Sequence, residues 1–159
     1  MYEYKAKLNK VVDGDTVDVD IDLGFGVWLK DERVRIMGID TPESRTSDKV
    51  EKVFGLASKD RLKELLGPNP VLKTFAAKDG EDMKGKFGRI LGDFYVYYGA
   101  EDRECLVTEI MIKEGHAVRY HGQNKADVLT EHLANRNMLM ENGTVDPKDV
   151  QEAEAKMKK

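Results

Sequence analysis

Cysteine is all but missing: Cys105 is the only one in 159 residues. A single thiol excludes a disulfide framework within the chain, and its expected role is that of a small buried apolar residue. Long apolar runs are missing too, so no segment offers the roughly 20 residues of a membrane helix. The first ten residues, "MYEYKAKLNK", are charged and hold no signal-peptide core. The chain therefore reads as cytoplasmic, although a secreted form already stripped of its signal would read alike. Histidine is scarce: His116, His121 and His132 stand 5 and 11 residues apart, with no cysteine beside them. That spacing excludes a zinc site. Positive charge is not in excess. A formal charge of −4 excludes a generally basic nucleic-acid coat, but a local basic cleft stays open because phosphate contacts depend on where the charges lie. Internal repeats and low-complexity linkers are also absent.

What is present describes one globular domain with a charged surface. Tyr2–Val11, Thr16–Leu23, Glu32–Ile39, Val71–Ala77 and Arg89–Tyr98 are rich in β-branched and aromatic residues, with Gly, Asp or Pro between them. One helix interrupts them, with Val50, Val53, Phe54, Ala57, Leu65 and Leu66 on a stripe, Asp48 as its cap and Gly67-Pro68 as its stop. Two more helices follow. One carries Val107, Ile110 and Met111 and ends at Gly115; the other has Leu129, Leu133 and Met140 as its apolar line. Asp146-Pro147 opens a charged terminal helix, thinly apolar at Val150, Ala153 and Met157. That helix is expected to be exposed, frayed or packed on a partner. Strands first and helices late, without βαβ alternation, predict an α+β fold compatible with an OB-type Greek-key barrel.

Three stretches carry candidate chemistry. "VVDGDTVDVDID", Val11–Asp22, holds five aspartates. Strand parity puts Asp18, Asp20 and Asp22 opposite Val17, Val19 and Ile21, so these three are expected to face water. Asp15 shares the parity of the valines. A carboxylate aimed inward needs a charge partner or a metal, and a turn carboxylate bonded to its own backbone is the alternative. "RVRIMGIDTPESR", Arg33–Arg45, puts Asp40 and Glu43 three residues apart across a Thr-Pro turn, with Arg35 on the strand before it. Both acids can face one cavity; the alternative is a capped loop entering the helix. "KDGEDMKGKFGRILGDFYV" sets Lys84, Lys86 and Arg89 among Gly80, Gly85 and Gly88. This is either a hairpin tip or a loop that brings cations to a phosphate. Together the three supply hard carboxylate ligands for Ca²⁺ or Mg²⁺, a carboxylate to activate water and two guanidiniums for a phosphate. Those are the parts of phosphodiester hydrolysis.

With "VVDGDT", "RIMGIDTPE" and "KFGR" in this order, the chain resembles the staphylococcal nuclease (thermonuclease) family over roughly Lys5 to Met140. The resemblance implies a five-stranded OB barrel with three α-helices as a domain over residues 1–143, leaving 144–159 as a short C-terminal helical extension. It also implies a Ca²⁺-dependent nuclease, one ion per site, that acts on DNA and/or RNA and leaves 3′-phosphate ends. Asp15 and Asp40 would be metal ligands, Thr41 would give its main-chain carbonyl, and Asp13 would support them from behind. Glu43 would be the general base or orient the attacking water. Arg35 and Arg89 would clamp the scissile phosphate. Lys84, Lys86, Arg119 and Tyr120 would bind substrate. A monomer is expected. Two departures stand out: Phe87 lacks the hydroxyl that family members often carry before the Gly-Arg pair, and Tyr120 stands where members tend to have two tyrosines. A non-catalytic OB-type module that binds nucleic acid or protein is the alternative function. Such modules typically lose the acids and arginines, which are all present here.

Overall fold

The computed structural model describes residues 2–75 and 89–158. Strands β1 (Glu3–Asp13), β2 (Thr16–Asp22) and β3 (Trp28–Ile36) form an antiparallel meander. A short β4 (Ile39–Asp40) follows, then helix α1 (Lys49–Leu66) and β5 (Val71–Thr74). Next come β6 (Ile90–Tyr98), β7 (Arg103–Leu106), α2 (Val107–Lys113) and β8 (Val118–Arg119), and finally α3 (Lys125–Glu141) and α4 (Pro147–Met157). β5 pairs with both β1 and β6, and β6 runs parallel to β3, with Val34 level with Ile90. That last pairing closes β1, β2, β3, β5 and β6 into a five-stranded barrel of OB type. β7 extends β6 at the edge, and β4 pairs with β8 outside the barrel.

Alternation builds the core. Val17, Val19, Val34 and Ile36 have no exposed surface, and each buried side chain of this size stabilises the fold by roughly 1.5–3 kcal/mol. They meet Leu72, Phe94, Leu62 and Leu66 of α1, and Ile110 and Met111 of α2. Cys105 is buried among them as the sequence predicts. Asp93 stands in for a missing α2 cap. Its carboxylate accepts from the Thr108 hydroxyl at 2.6 Å and from the Phe94 N–H at 2.8 Å. Burial dominates those bonds and pushes its pKa up to about 6.

Asp48 caps α1 by accepting from the Val50 and Glu51 amides. The helix buries two sides. Ser58 and Leu62 face the barrel, while Phe54 enters a smaller core with Leu139, Val145 and Val150. The terminal helix is therefore not exposed as expected: Val150 and Ala153 of α4 are buried, and Val150 packs beside Phe54. The apolar line read for α3 is also corrected. Leu129 and Leu133 are 53% and 46% exposed, only Met140 of that line packs against the small core, and Leu139 is the helix's buried residue. The inward stripe is mostly polar: His132, Asn135 and Arg136 precede Leu139 at helical spacing. Trp28 sits at the start of β3, 41% exposed, with the Lys30 ammonium 5.7 Å from its ring. Among the described residues no helix is long and apolar enough to cross a membrane.

Parity placed Asp18, Asp20 and Asp22 correctly on the outer face of β2, but that face is not simply wet. Asp18 is 9% and Asp20 8% exposed. Asp18 holds Arg33 through two bonds of 2.9 and 3.1 Å. β3 places Lys30 and Asp31 against the single residue Asp20, a bulge in the β2–β3 register. Asp20 satisfies the bulge by accepting from the Asp31 N–H and the Asn9 side chain, each at 2.8 Å. The Asp31 amide is the chief reason that its carboxyl titrates below the ordinary range. Asp22 accepts from the Gly24 N–H in the hairpin turn. All three are framework residues.

Candidate active site

The β1–β2 turn, the end of β3 and the loop entering α1 meet at one end of the barrel. Gly14 makes the approach possible: a Cβ there would lie 2.8 Å from the Ser58 Cβ and 3.2 Å from that of Thr41. The Asp15 carbonyl accepts from the Ile36 N–H at 2.8 Å, which pins the turn to β3. Its carboxylate faces Arg35 at 3.3 Å. Burial is the strongest influence on that carboxyl and raises its pKa. The Arg35 charge and the hydroxyls of Thr16 and Thr41 pull it back only in part. The inward-facing reading of Asp15 thus agrees with the structure.

Arg35 does more than face Asp15. Its guanidinium also donates to the main-chain carbonyls of Ile36 and, at 2.8 Å, of Ile39. It thereby holds the tight turn that delivers Asp40. Asp40 pairs through its main chain with Val118, while Arg119 pairs with Ile39. The Tyr120 N–H reaches the Gly38 carbonyl at 2.9 Å. So β8 brings Arg119 and Tyr120 to this end of the molecule. The Asp40 carboxylate is 39% exposed and meets His132 Nε2 of α3 at 2.7 Å.

Glu43 is exposed, but its backbone is clamped from three sides. Its N–H donates to the Glu51 carboxylate at 2.8 Å. Its carbonyl rests on Gly55, where a Cβ would lie only 2.2 Å from the oxygen. The next residue, buried Ser44, donates through its N–H at 3.2 Å and its hydroxyl to Asp13. Asp13 therefore supports the loop that carries Glu43. Arg89 immediately precedes β6, whose first residues run beside Val34 and Arg35. Lys84, Lys86 and Phe87 lie outside the described residues.

A cleft of ≈ 320 Å³ opens on the α3 side of this loop. Asp40, Glu43, Glu51, Tyr120, Lys125 and Arg136 are among its walls. Among the described residues, no three or more His, Cys, Asp or Glu side chains converge as a ready metal cage. Yet the donors present suit a hard cation. The Asp15 carboxylate is desolvated, and the buried Thr41 hydroxyl lies beside it. Two carboxylates and a main-chain carbonyl would leave the remaining positions to water and substrate, as such ions accept.

Sequence reasoning missed His132, Ser44, Glu51 and Gly55. Glu51 had a signal, since Asp48-x-x-Glu51 has capping-box spacing; the structure spends that carboxylate on Glu43 instead. His132 could have been found by reading α3 for a polar stripe rather than an apolar one.

Comparison with known proteins agrees with this geometry. The profile of the staphylococcal nuclease homologue family matches residues 33–139. A thermonuclease of Staphylococcus intermedius is 33% identical over 126 residues, covering 78% of this chain and 66% of its own. Endonuclease YncB of Bacillus subtilis is 33% identical over 110 residues, 69% of this chain and 45% of its own. Endonuclease YhcR of the same organism is 28% identical over 123 residues, 74% of this chain but 9% of its own. The chain thus spans less than half the length of either Bacillus relative. A profile that covers most of the chain, on a closed five-stranded barrel with acids and arginines at one end, shows that the protein belongs to the staphylococcal nuclease homologue family.

Proposed function

We propose that this protein is a metal-dependent nuclease that hydrolyses phosphodiester bonds of DNA and/or RNA as a monomer. The observation that carries the reading is the desolvated Asp15 carboxylate, set between Arg35 and the buried Thr41 hydroxyl. Asp15, Asp40 and the Thr41 carbonyl would hold one Ca²⁺. Bound there, the ion would supply Lewis-acid stabilisation of phosphate charge and a template for water. Residues 1–143 would form the nuclease domain and 144–159 its helical extension.

The chain's own residues divide the remaining work. Glu43 orients or deprotonates the attacking water, from a backbone clamped by Glu51, Gly55 and Asp13. Arg35 and Arg89 bind the phosphate oxygens, which gain charge in the transition state; guanidinium suits this because it is planar and permanently charged. Arg35 already spends donors on Ile36 and Ile39, so it also keeps Asp40 in place. Arg119 and Tyr120 border the approach of the polynucleotide, and Lys84 and Lys86 add phosphate contacts. The attack breaks the P–O5′ bond: the 5′-oxygen leaves and takes a proton from solvent to become a hydroxyl, and the phosphate stays on the 3′ side.

The test is a digestion gel of plasmid, single-stranded DNA and RNA with Ca²⁺ against EDTA, followed by end-group analysis. Cleavage only with Ca²⁺, yielding 3′-phosphate ends, is expected. Folded protein that binds the nucleic acids but cleaves none of them would return the protein to the class of non-catalytic binding modules.

A further inference from the structure

The inward face of α3 carries a cation that the chain's own acids leave alone. Arg136 lies one helical turn beyond His132, about 6 Å farther along the axis. Its guanidinium carbon sits 5.3 Å from the centre of the Phe54 ring. Phe54 is buried, so the guanidinium lies over the ring at the edge of the small core, and Arg136 also lines the cleft that holds Asp40 and Glu43. The guanidinium makes no hydrogen bond or ion pair among the described residues, and its Nε is buried without a partner. Arg136 also borders a second hollow with Asp48 and Glu154, but neither carboxylate comes within ion-pair distance.

A guanidinium has five donors and stays charged at any ordinary pH. Holding it half-buried without an anion is costly. Elsewhere the chain pairs comparable groups: Arg33 with Asp18, and Arg61 with Glu114. Of the acids that share the cleft, Asp40 is engaged with His132 and Glu51 with the Glu43 amide, and the Glu43 carboxylate makes no ion pair with Arg136 among the described residues. Lys125, the first residue of α3, lines the same cleft. The ligand that fits is an anion with several acceptor oxygens, arriving in a chain already anchored at Asp40 and Glu43.

We propose that Arg136, with Lys125 at the cleft mouth, binds the phosphodiester next to the scissile one on a single-stranded substrate. Arg136 forms a subsite for polynucleotide length, separate from the chemistry. The inference rests on the nuclease reading above. It predicts that Arg136 acts on long substrates and not on minimal ones.

The experiment compares wild type, Arg136→Met and Arg136→Lys. Methionine keeps apolar cover over Phe54 without the charge; lysine keeps the charge. Each is assayed on a long single-stranded oligonucleotide at several salt concentrations and on a nitrophenyl phosphodiester of one nucleoside, with thermal melts to check folding. Arg136→Met should lower kcat/KM on the oligonucleotide about tenfold, through KM, because one charge-assisted phosphate contact is lost. Its log–log salt dependence should become shallower by about 0.7. Hydrolysis of the single-nucleoside ester should not change, and Arg136→Lys should keep the wild-type salt slope. Equal loss on both substrates, an unchanged slope in Arg136→Met, or a slope in Arg136→Lys as shallow as that of Arg136→Met would overturn the subsite. A wild type that cleaves neither substrate would overturn the nuclease reading and the subsite with it. A wild type that cleaves while Arg136 is indifferent would overturn the subsite alone.

Discussion

Gly55→Ala sets two effects of known sign against each other. In an ordinary helix interior alanine is more favourable than glycine by about 1 kcal/mol. At Gly55 the new methyl would stand 2.2 Å from the Glu43 carbonyl oxygen and 2.7 Å from the Ser44 nitrogen. An ordinary carbon–oxygen contact is about 1 Å longer. Both neighbours are backbone, so no side-chain rotation relieves the clash; the loop must move by about that distance or α1 must shift. Overpacking of this kind typically costs about 1–3 kcal/mol. After the helix gain, a net loss of up to about 2 kcal/mol is expected, or a Tm lower by up to about 8 °C for a chain of this size. The catalytic effect should be larger. A displacement of about 1 Å in a positioned group can cost about a hundredfold in rate. The loss should fall on kcat more than on KM, because the exposed Glu43 is moved rather than removed. Urea melts and steady-state cleavage at saturating Ca²⁺ read both effects, with exposed Lys52→Ala as a control on the same helix. If Gly55→Ala is as stable as wild type and turns over at its rate, Glu43 is not seated on this glycine and the three-sided clamp is wrong.

Three other outcomes are expected. Asp15→Asn should abolish Ca²⁺-dependent cleavage, whereas Asp18→Asn and Asp22→Asn should keep most of it; Asp20→Asn should keep turnover while loosening the β2–β3 bulge, seen as faster amide exchange at Asp31. Loss of activity in Asp20→Asn with retention in Asp15→Asn would show that the assigned register is wrong. His132→Leu should weaken Ca²⁺ binding ten- to a hundredfold in calorimetry by releasing Asp40; His132→Gln should weaken it less, and an unchanged Kd in His132→Leu would remove His132 from the site. The raised pKa of Asp93 makes a stability contribution that is full below its ordinary pKa of 3.8 and lost as pH rises through about 6. That amounts to roughly 3 kcal/mol at most. Asp93→Asn should therefore lose less stability than wild type between pH 4 and pH 7, and parallel curves would refute the assignment.

The barrel was legible because its rule is local. Val17, Val19, Val34 and Ile36 alternate with polar residues, and alternation alone fixes which face is buried. α1 was legible from Asp48 and Gly67, whose chemistry marks the ends. The candidate acids were legible as positions because Asp15 lies in the turn between β1 and β2, Asp40 ends β4 and Glu43 follows in the loop to α1. What stayed hidden depends on contacts distant in sequence. β4 and β8 are two residues each, too short for any periodic signal, and they find each other only once the barrel exists. α3 was misread because apolar spacing was given all the weight, and Leu129 and Leu133 outnumber Leu139. The helix instead faces inward with His132 and Asn135, since its neighbours are the Asp40 carboxylate and the Ala117 carbonyl. Asp18 and Asp20 were placed on the right face, but parity cannot show that Arg33, Asn9 and a bulge would cover them.

The parallel pairing of β3 with β6 has a consequence for the order in which the protein becomes active. β1, β2 and β3 join through neighbouring hairpins, contacts that a growing chain can make early. β6 docks on β3 only after a long intervening segment has been closed into a loop, which makes it a slow, non-local step. The carboxylates belong to the early meander and its exit loop, while Arg89 arrives with β6. A nascent chain halfway through synthesis would hold the acids and Arg35 but not the second arginine. On the proposed reading, the pair of arginines that would clamp a phosphate is complete only once β6 has docked on β3.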